Sequence, residues 1–549
     1  MNWLAQTAML SFGWRRILLL VIFGAIASLS MPPLLFLPAL FISLPVWVWA
    51  LDGAEHRSGL KRLFGPAFTI GFSFGLGYFL GAIHWVGAAF FVDGGWLLIL
   101  MPFAVLSLAS ILAIFWGFAS VLAHYFWSDS FLRVFALAFS LSLFEFLRGH
   151  LFTGFPFNLL GYALSANDNM AQLASVVGIY GLTAIAALLG VMMALVWPKD
   201  DRSLSARLIP VFIIIVALVG QFAYGKYRLE SINIVERLDI KLRLVQPNIK
   251  QAQKWQTGSA QYIMDHLMGL STNKGSVNNA GLNSITYLIW PEAAIPFYLS
   301  DRPEYITKIS NMLPIGKFLI AGAPRKETLG EQYQNDGSDI STKSYNSILM
   351  FDSSGEIIST YDKTHLVPFG EYLPFENLLN SLGIKQFVFG SDGWSAGLSR
   401  RLMGVLGANN SIGAASFLPL ICYEAIFSAN LGKAIDEADF ILNLTNDGWF
   451  DGSIGPAQHF HHVKIRSIEE GKSLVRVANS GISALIDPLG RVRAKLNAGE
   501  MGILDVAPPL PIEKTIFAKY RNYPFLIALL LGFTLLILQK TRQKKKKYF

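Results

Sequence analysis

Long apolar runs broken by short polar or basic stretches dominate the first 225 residues. A helix that crosses a bilayer needs about 20 largely apolar residues. Runs near 16–30, 33–51, 66–86, 96–124, 131–147, 171–196 and 208–225 approach or exceed that length, and an eighth lies near 522–539. The first run follows Arg15 and Arg16 and precedes Ser28 and Ser30, as a signal peptide would, but a second apolar run begins at once at Leu34. That pattern predicts an uncleaved helical hairpin. The run at 96–124 is long enough to tilt or to project beyond the bilayer.

From about residue 240 the pattern changes to short, continuous β-branched and aliphatic runs. Strands are expected at 240–247, 284–290, 317–322, 345–352, 356–363, 416–424, 439–447, 474–481 and 483–488. Such runs suit sheets covered on both faces. Helices are expected at 257–270, 301–312, 424–436 and 456–470, and hairpin turns at Gly355–Ile357 and Leu489–Arg491. The division that follows is a membrane domain at 1–225 with seven spans, an extramembrane domain at 226–515, and an eighth span with a basic tail at 516–549.

Composition supports this picture. Hydrophobic residues make up 53% of the 549 and charged residues only 15%, against roughly 25% charged in ordinary soluble domains. Disorder is excluded by the 13% aromatic content. The net charge of +8 does not call for nucleic acid, because six of the last ten residues, KTRQKKKKYF, are basic and directly follow an apolar run. That arrangement reads as a membrane-flanking anchor. Basic residues also mark one set of loops: Arg15 and Arg16, then Arg57, Lys61 and Arg62, then Arg133, then Lys199, Arg202 and Arg207. Of the opposing short loops only 148–169 carries a cation, Arg148. Both termini are therefore expected on the cytoplasmic side and the large domain on the far side. Lys226, Arg228, Lys519 and Arg521 fall on that far side, where they flank a long domain and the charge rule is weak. Within or beside the spans, His84, His124, Glu145, Arg148 and His150 are either satisfied by neighbouring helices or part of a vestibule near 145–162.

The chemistry-bearing candidates lie at the ends of apolar strands. Glu292 ends SITYLIWPE, Lys363 ends EIISTYDK, and Cys422 ends SFLPLIC. Strand ends are where layered α/β domains gather reacting groups. A thiol, a carboxylate base and a cation for the oxyanion are what acyl transfer through a thioester requires. Singly, each has an ordinary alternative: a small buried hydrophobe, a turn residue, a solvated lysine. One cysteine in the whole chain rules out an internal disulfide and any multi-cysteine metal site. His459 and His462 in HFHH are spaced i, i+3 on an expected helix, but lack an evident third ligand, so a packed helix face is the better reading.

The words around these residues are WPEAAIP at 290–296, YDKTHLVPFGEYLPF at 361–375 and ICYE at 421–424. In this order they resemble the nitrilase superfamily and, with apolar spans on both sides, the apolipoprotein N-acyltransferase family. VQPNIKQAQKW at 245–255, LRGHLFTGFPF at 147–157, NDGWFDGSIGPAQHF at 446–460 and RVANSGISALIDPLG at 476–490 extend the resemblance over essentially the whole chain. The polar insert Lys326–Lys343 and the segment Gly390–Ser411 depart from it. The resemblance implies an α+β protein: a polytopic α-helical membrane domain of eight spans carrying a nitrilase-like αββα sandwich. It further implies ping-pong transfer of a fatty acyl chain from a phospholipid, phosphatidylethanolamine being the implied donor, to the α-amino group of the diacylglyceryl-cysteine of apolipoproteins. Cys422 would be the nucleophile, Glu292 the general base, and Lys363 the group that stabilises the oxyanion and favours the thiolate. Glu371 would orient the lysine and the reacting amine, Tyr423 and Glu424 would support the nucleophile, and Trp255 and Trp449 would sit on arms at the substrate entrance. Mobile loops are sought at Gly390–Gly397 and Gly448–Gly455. No cofactor or metal is implied, nucleic acid is not a partner, and the implied form is a monomer in the cell inner membrane with its catalytic domain in the periplasm.

Two other readings use the same residues differently. A membrane-tethered nitrilase-type amidohydrolase would finish with water, and a transporter or scaffold would make no use of the Cys422 thiol.

Overall fold

A computed structural model describes residues 2–55, 59–198, 203–254, 256, 258–273, 281–328, 342–373, 381, 393–404 and 415–548. The chain divides into two compact units. One, helical, comprises Met1–Asn233, Ser453–Glu470 and Lys514–Phe549; the other, sheet-based, comprises Ile234–Gly452 and Gly471–Glu513.

The helical unit is built from α1 (Asn2–Leu10), α2 (Gly13–Ser28), α3 (Pro38–Asp52), α4 (Pro66–Ile83), α5 (Met101–Tyr125), α6 (Leu132–Arg148), α7 (Ala174–Met192) and α8 (Leu204–Ser231). It is completed by α11 (Gly455–Glu470) and α12 (Tyr523–Tyr548), which enter from later in the chain. Each of the eight expected runs coincides with a helix, but among the described residues five helical stretches are long and apolar enough to cross a membrane: Pro66–Val92, Met101–Tyr125, Ala174–Leu195, Leu204–Ser231 and Tyr523–Gln543. The other three, α2, α3 and α6, are 16, 15 and 17 residues long. Local breakers stop them: a Pro32–Pro33 pair lies between α2 and α3, Gly53 caps α3, and Gly149 caps α6. The short α1 escapes detection in the sequence because its nine residues carry too few apolar turns to show a period.

Close helix approach depends on glycine. A Cβ on Gly77 would lie 1.9 Å from the Val21 carbonyl oxygen, and one on Gly71 would lie 2.2 Å from that of Trp116, so α4 meets α2 and α5 backbone to backbone. On α8, Phe212, Ile215, Val216 and Val219 are exposed, as are Leu530, Leu531 and Leu535 on α12. Apolar faces of this extent suit lipid, not water. Buried charge is paired: Arg148 Nε donates to Glu145 Oε1 at 2.8 Å, and both side chains are fully buried. Trp116 Nε1 donates to the same oxygen at 2.8 Å, and Arg148 also reaches the carbonyls of Phe155 and Phe157.

The sheet unit holds β1 (Leu242–Gln246), β2 (Tyr287–Ile289), β3 (Phe318–Thr328), β4 (Thr342–Phe351), β5 (Ile357–Asp362), β6 (Met403–Gly404), β7 (Ser416–Ile421), β8 (Phe440–Thr445), β9 (Ser473–Ala478), β10 (Ser483–Ile486), β11 (Val492–Leu496) and β12 (Gly502–Val506). They form two mixed six-stranded sheets, ordered β12-β1-β2-β3-β4-β5 and β11-β10-β9-β8-β7-β6. Leu242, Tyr287, Ile320 and Ile348 of the first sheet share one apolar core with Phe417, Phe440, Leu442 and Val475 of the second. The other face of the first sheet is covered by α9 (Ser259–Thr272) and α10 (Glu304–Met312) through Ile263, Leu267, Tyr305 and Ile309. All nine expected strands are present, and both expected turns connect antiparallel hairpins, β4–β5 and β10–β11. The missed strands lack an apolar run; β11, VRAKL, is mostly exposed.

Two expectations need correction. The helix expected at 424–436 is instead two short 3-10 turns, Cys422–Ile426 and Lys433–Asp436. The Glu424 carboxylate binds the Ile421 amide at 2.8 Å and the chain enters the turn with a positive φ at Cys422, so no regular helix can start there. The helix expected at 456–470 exists as α11 but belongs to the helical unit. There Gln458 accepts from Trp85 Nε1 and Asn158 Nδ2 at 2.8 and 2.9 Å and donates to the Pro32 carbonyl.

Candidate active site

Three strand ends of the sheet unit supply the expected residues. β7 is fully buried beyond its first residue and runs parallel to β8, which fixes where Cys422 emerges. Cys422 then adopts φ +47°, a region that costs a non-glycine residue about 1–3 kcal/mol and turns the side chain sharply out of the strand. Glu292 follows β2 through Trp290 and Pro291, and the chain turns again at Ala293, φ +46°. The neighbouring strand must be bare for this turn to fit: a Cβ on Gly322 would lie 2.5 Å from the Pro291 carbonyl. Lys363 follows β5, its amide donating to the Asn346 carbonyl at 2.9 Å.

These side chains form one cluster, buried at Glu292 and Lys363 and half-buried at Cys422. Lys363 Nζ donates to Glu371 Oε1 at 2.8 Å and lies 3.8 Å from Glu292 Oε1. Asn346 Nδ2 bridges the two acids, at 2.8 Å from Glu292 Oε1 and 3.2 Å from Glu371 Oε1. The Val367 amide holds the second Glu371 oxygen at 2.8 Å. Two carboxylates thus share one close lysine. Burial pushes the Glu292 carboxyl up; Lys363 draws it down and the Glu371 charge pushes it further up. Although burial opposes its charge, Lys363 is held protonated by Glu371 and Glu292. The Cys422 thiol is pushed up to about 12 by burial and by the Glu292 charge, with Lys363 opposing. Lys363 thus favours the thiolate, as expected, but burial and the Glu292 charge outweigh it at the thiol. The thiol proton must leave to a base, and Glu292 is the carboxylate whose charge acts on it most strongly.

The supporting residues take distinct places. Glu424 is fully buried and accepts from the Tyr361 hydroxyl, the Thr364 and His365 amides, the Thr364 hydroxyl and the Ile421 amide, all within 2.8–3.0 Å. It therefore ties the loop after Lys363 to the turn that carries Cys422. Tyr423 is buried and packs against Phe427 and His365. Trp449 lies half-buried in the turn after β8, whereas Trp255 is outside the described residues. So are Arg57, Lys199 and Arg202 among the orientation-marking cations, residues 329–341 of the polar insert, and residues 390–392 and 405–411 of the segment Gly390–Ser411.

Sequence reasoning missed four contributors. Asn346 lies beside Ser347 in the buried half of β4. Thr445 ends β8 close to Cys422, where it draws the thiol down, and its hydroxyl donates to Asp447 Oδ1 at 3.2 Å. Asp447 in turn pairs with the buried Arg476 at 2.8 Å. Lys254 is almost completely buried and donates to the Glu292 carbonyl at 3.2 Å; burial brings it down to about 8, with Glu292 opposing. A lysine next to a tryptophan in a polar stretch carries no signal of such burial. Among the described residues no group of three or more His, Cys, Asp and Glu side chains is arranged to hold a metal ion. His462 instead stacks on Tyr162, ring centroids 3.9 Å apart.

A cysteine on a strained strand-to-turn junction, beside a buried carboxylate and a carboxylate-held lysine, belongs to the thiol class of carbon–nitrogen hydrolase folds. The carbon-nitrogen hydrolase family model matches residues 241–511, and the model of the apolipoprotein N-acyltransferase N-terminal domain matches residues 23–192. Over 538 residues the chain is 37% identical to the apolipoprotein N-acyltransferase of Rhodopseudomonas palustris, covering 98% of this chain and 97% of that one. It is 39% identical to that of Bradyrhizobium diazoefficiens, covering 99% and 98%. A solved amidase of the nitrilase superfamily from Nesterenkonia aligns at 15% identity and a TM-score of 0.34, over 54% of this chain and 99% of its own. The chain belongs to the apolipoprotein N-acyltransferase family and is an N-acyltransferase.

Proposed function

We propose that the protein transfers a fatty acyl chain from a phospholipid to the N-terminal amino group of S-diacylglyceryl-cysteine in apolipoproteins, in two half-reactions through a thioester on Cys422. The observation that carries this reading is the Glu292–Lys363–Cys422 cluster at the ends of β2, β5 and β7. In the first half-reaction Glu292 takes the thiol proton as the sulfur attacks the ester carbonyl, and Lys363 stabilises the oxyanion. The C–O bond breaks and the lysophospholipid leaves with the proton returned by Glu292. In the second, the acceptor amine attacks the thioester, Glu292 takes the amine proton, and the C–S bond breaks to regenerate the thiol. Glu371 and Glu424 act as positioning residues, the first on Lys363, the second on the cysteine turn. Tyr423 supports the nucleophile, and Trp255 and Trp449 flank the entrance.

Both substrates carry lipid chains, and each methylene taken from lipid into water costs about 0.8 kcal/mol. A helical unit with lipid-facing surfaces removes that cost by keeping the reaction at the bilayer. We further propose eight spans, with the three shorter helices completing the bundle, both termini in the cytoplasm and 226–515 in the periplasm as the catalytic domain. The enzyme then resides in the inner membrane as a monomer, and phosphatidylethanolamine is the donor.

The test is intact-mass analysis of the purified protein with phospholipid and no acceptor. A hydroxylamine-labile acyl adduct at Cys422 that passes to a diacylglyceryl peptide supports the proposal. An adduct discharged only by water would transfer the case to the amidohydrolase reading. No adduct with a demonstrably free thiol would sink the thioester mechanism, and full acylation by Cys422→Ala would favour a scaffold.

A further inference from the structure

Arg476 of β9 is fully buried in the sheet unit, and its guanidinium divides between a side chain of β8 and one of the turn after it. Nη1 donates to Asn443 Oδ1, and Nη2 donates to Asp447 Oδ2 at 2.8 Å. Both partners lead on to the nucleophile. Asn443 Nδ2 lies 3.2 Å from the Leu420 carbonyl oxygen and 3.5 Å from that of Cys422, so it spans the junction where Cys422 takes φ +47°. Asp447 Oδ1 accepts from the Thr445 hydroxyl at 3.2 Å, and Thr445 draws the Cys422 thiol down. The register makes the first path direct: Arg476 pairs with Asn443, and Asn443 with Leu420, in one row across the parallel strands β9, β8 and β7.

Stability alone does not account for this arrangement. A buried ion pair carries a heavy desolvation cost, and apolar side chains of similar volume often serve a fold as well. A cysteine held at positive φ does need restraint from its surroundings, against a strain of about 1–3 kcal/mol. A planar guanidinium fork can hold two acceptors in fixed directions, where an ammonium cannot. Arg243 supplies the contrast within the same unit. It is also buried, but it donates to Asp505 at 2.8 Å and to the Ser271 and Asn273 carbonyls at 2.8 and 2.7 Å, and none of these belongs to the reacting cluster. We propose that Arg476 is a positioning residue for the nucleophile, fixing the Cys422 backbone through Asn443 and the thiol through Asp447 and Thr445. The inference rests on the proposed function only in taking Cys422 as the reacting group.

The experiment compares Arg476→Lys, which keeps the charge but loses the fork, with Arg243→Lys in the full-length protein. Two rates are read against pH: Cys422 alkylation by iodoacetamide, and single-turnover acyl-enzyme formation from phospholipid. Thermal unfolding is followed alongside. Arg476→Lys should slow both rates at neutral pH by about ten- to a hundredfold, the scale of a reacting group moved out of line. Its alkylation profile should also move to higher pH, because the Thr445 contribution that lowers the thiol is lost. Arg243→Lys should lower the unfolding temperature and leave both rates and the profile in place. Asn443→Ala and Thr445→Val each cut one path and should reproduce part of the change, Thr445→Val including the move to higher pH. These two variants decide the matter if Arg476→Lys does not fold. Wild-type rates and profile in folded Arg476→Lys, or in both single-path variants, would overturn the proposal, as would an equal loss of rate in Arg243→Lys. Alkylation needs no acyl donor. A wild-type protein that alkylates but forms no acyl-enzyme defeats the thioester reading, while comparison of the variants still decides the role of Arg476.

Discussion

The two units bury charge in opposite ways. In the helical unit Glu145 meets one arginine, Arg148, and every close contact is a partner: two Glu145–Arg148 hydrogen bonds at 2.8 and 3.0 Å, the Trp116 indole, and two backbone carbonyls. In the sheet unit Glu292 and Glu371 compete for Lys363, which lies 2.8 Å from one and 3.8 Å from the other. The first arrangement is balanced and holds helices in register. The second leaves one carboxylate short of a full counter-charge, so it can take and return a proton at little cost. Burial alone thus does not mark a reactive acid; the closeness of its counter-charge does, since Glu292 lies 3.8 Å from Lys363 and Lys254 donates to the Glu292 backbone carbonyl.

The contrast is broken most severely at the base. Glu292→Gln should lower the first-half-reaction rate by about a hundred- to ten-thousand-fold, measured as single-turnover acyl-enzyme formation, with little change in thermal stability. The same change in the helical unit should do the reverse. Glu145→Gln leaves Arg148 buried without its charge partner, so about 3–5 kcal/mol of stability should be lost, read as an earlier unfolding transition. Paired replacement, Glu145→Leu with Arg148→Met, should recover most of it.

Two smaller effects sharpen the comparison. Removing the Glu371 charge takes away a contribution that raises Glu292 and leaves Lys363 to Glu292 alone. Glu371→Gln should therefore move the acid limb of the rate profile to lower pH and reduce the rate, by about ten- to a hundredfold if Lys363 swings out of register. Lys254→Met acts the other way. A positive charge that lowers Glu292 is lost, so the acid limb should move to higher pH, by about one unit or less. The sign follows from the base having to be ionised: activity falls as pH drops through the Glu292 value, and raising that value brings the fall earlier.

Much of this was legible in the sequence, for physical reasons. Continuous apolar runs such as FILNLT and SFLPLI can only be buried strands, and chain geometry then puts Glu292, Lys363 and Cys422 at strand ends. Runs of apolar residues likewise located every helix of the eight expected, although their ends were set by Gly53, Gly149 and the Pro32–Pro33 pair, which count for more than hydropathy in deciding length. What could not be read were contacts across the chain. Asn346 bridges residues 54 and 25 positions away, and nothing local to YNSIL announces it. Glu424 looked like part of a helix because its role, binding five donors from β5, the loop after it and the end of β7, exists only once the strands are paired. The lysine that favours the thiolate was visible in the sequence, but the burial and the close Glu292 charge that outweigh it exist only in the fold.

The central claim, that Cys422 rests as a thiol and gives its proton to Glu292, is tested most directly by the pH dependence of Cys422 alkylation with iodoacetamide. Wild-type reactivity should rise with pH as Glu292 ionises, whereas Glu292→Gln should lose that carboxylate-linked rise and follow only the titration of the thiol itself, which loses the upward push of the Glu292 charge. A cysteine already fully reactive below the ordinary carboxylate range, and indifferent to Glu292→Gln, would contradict it.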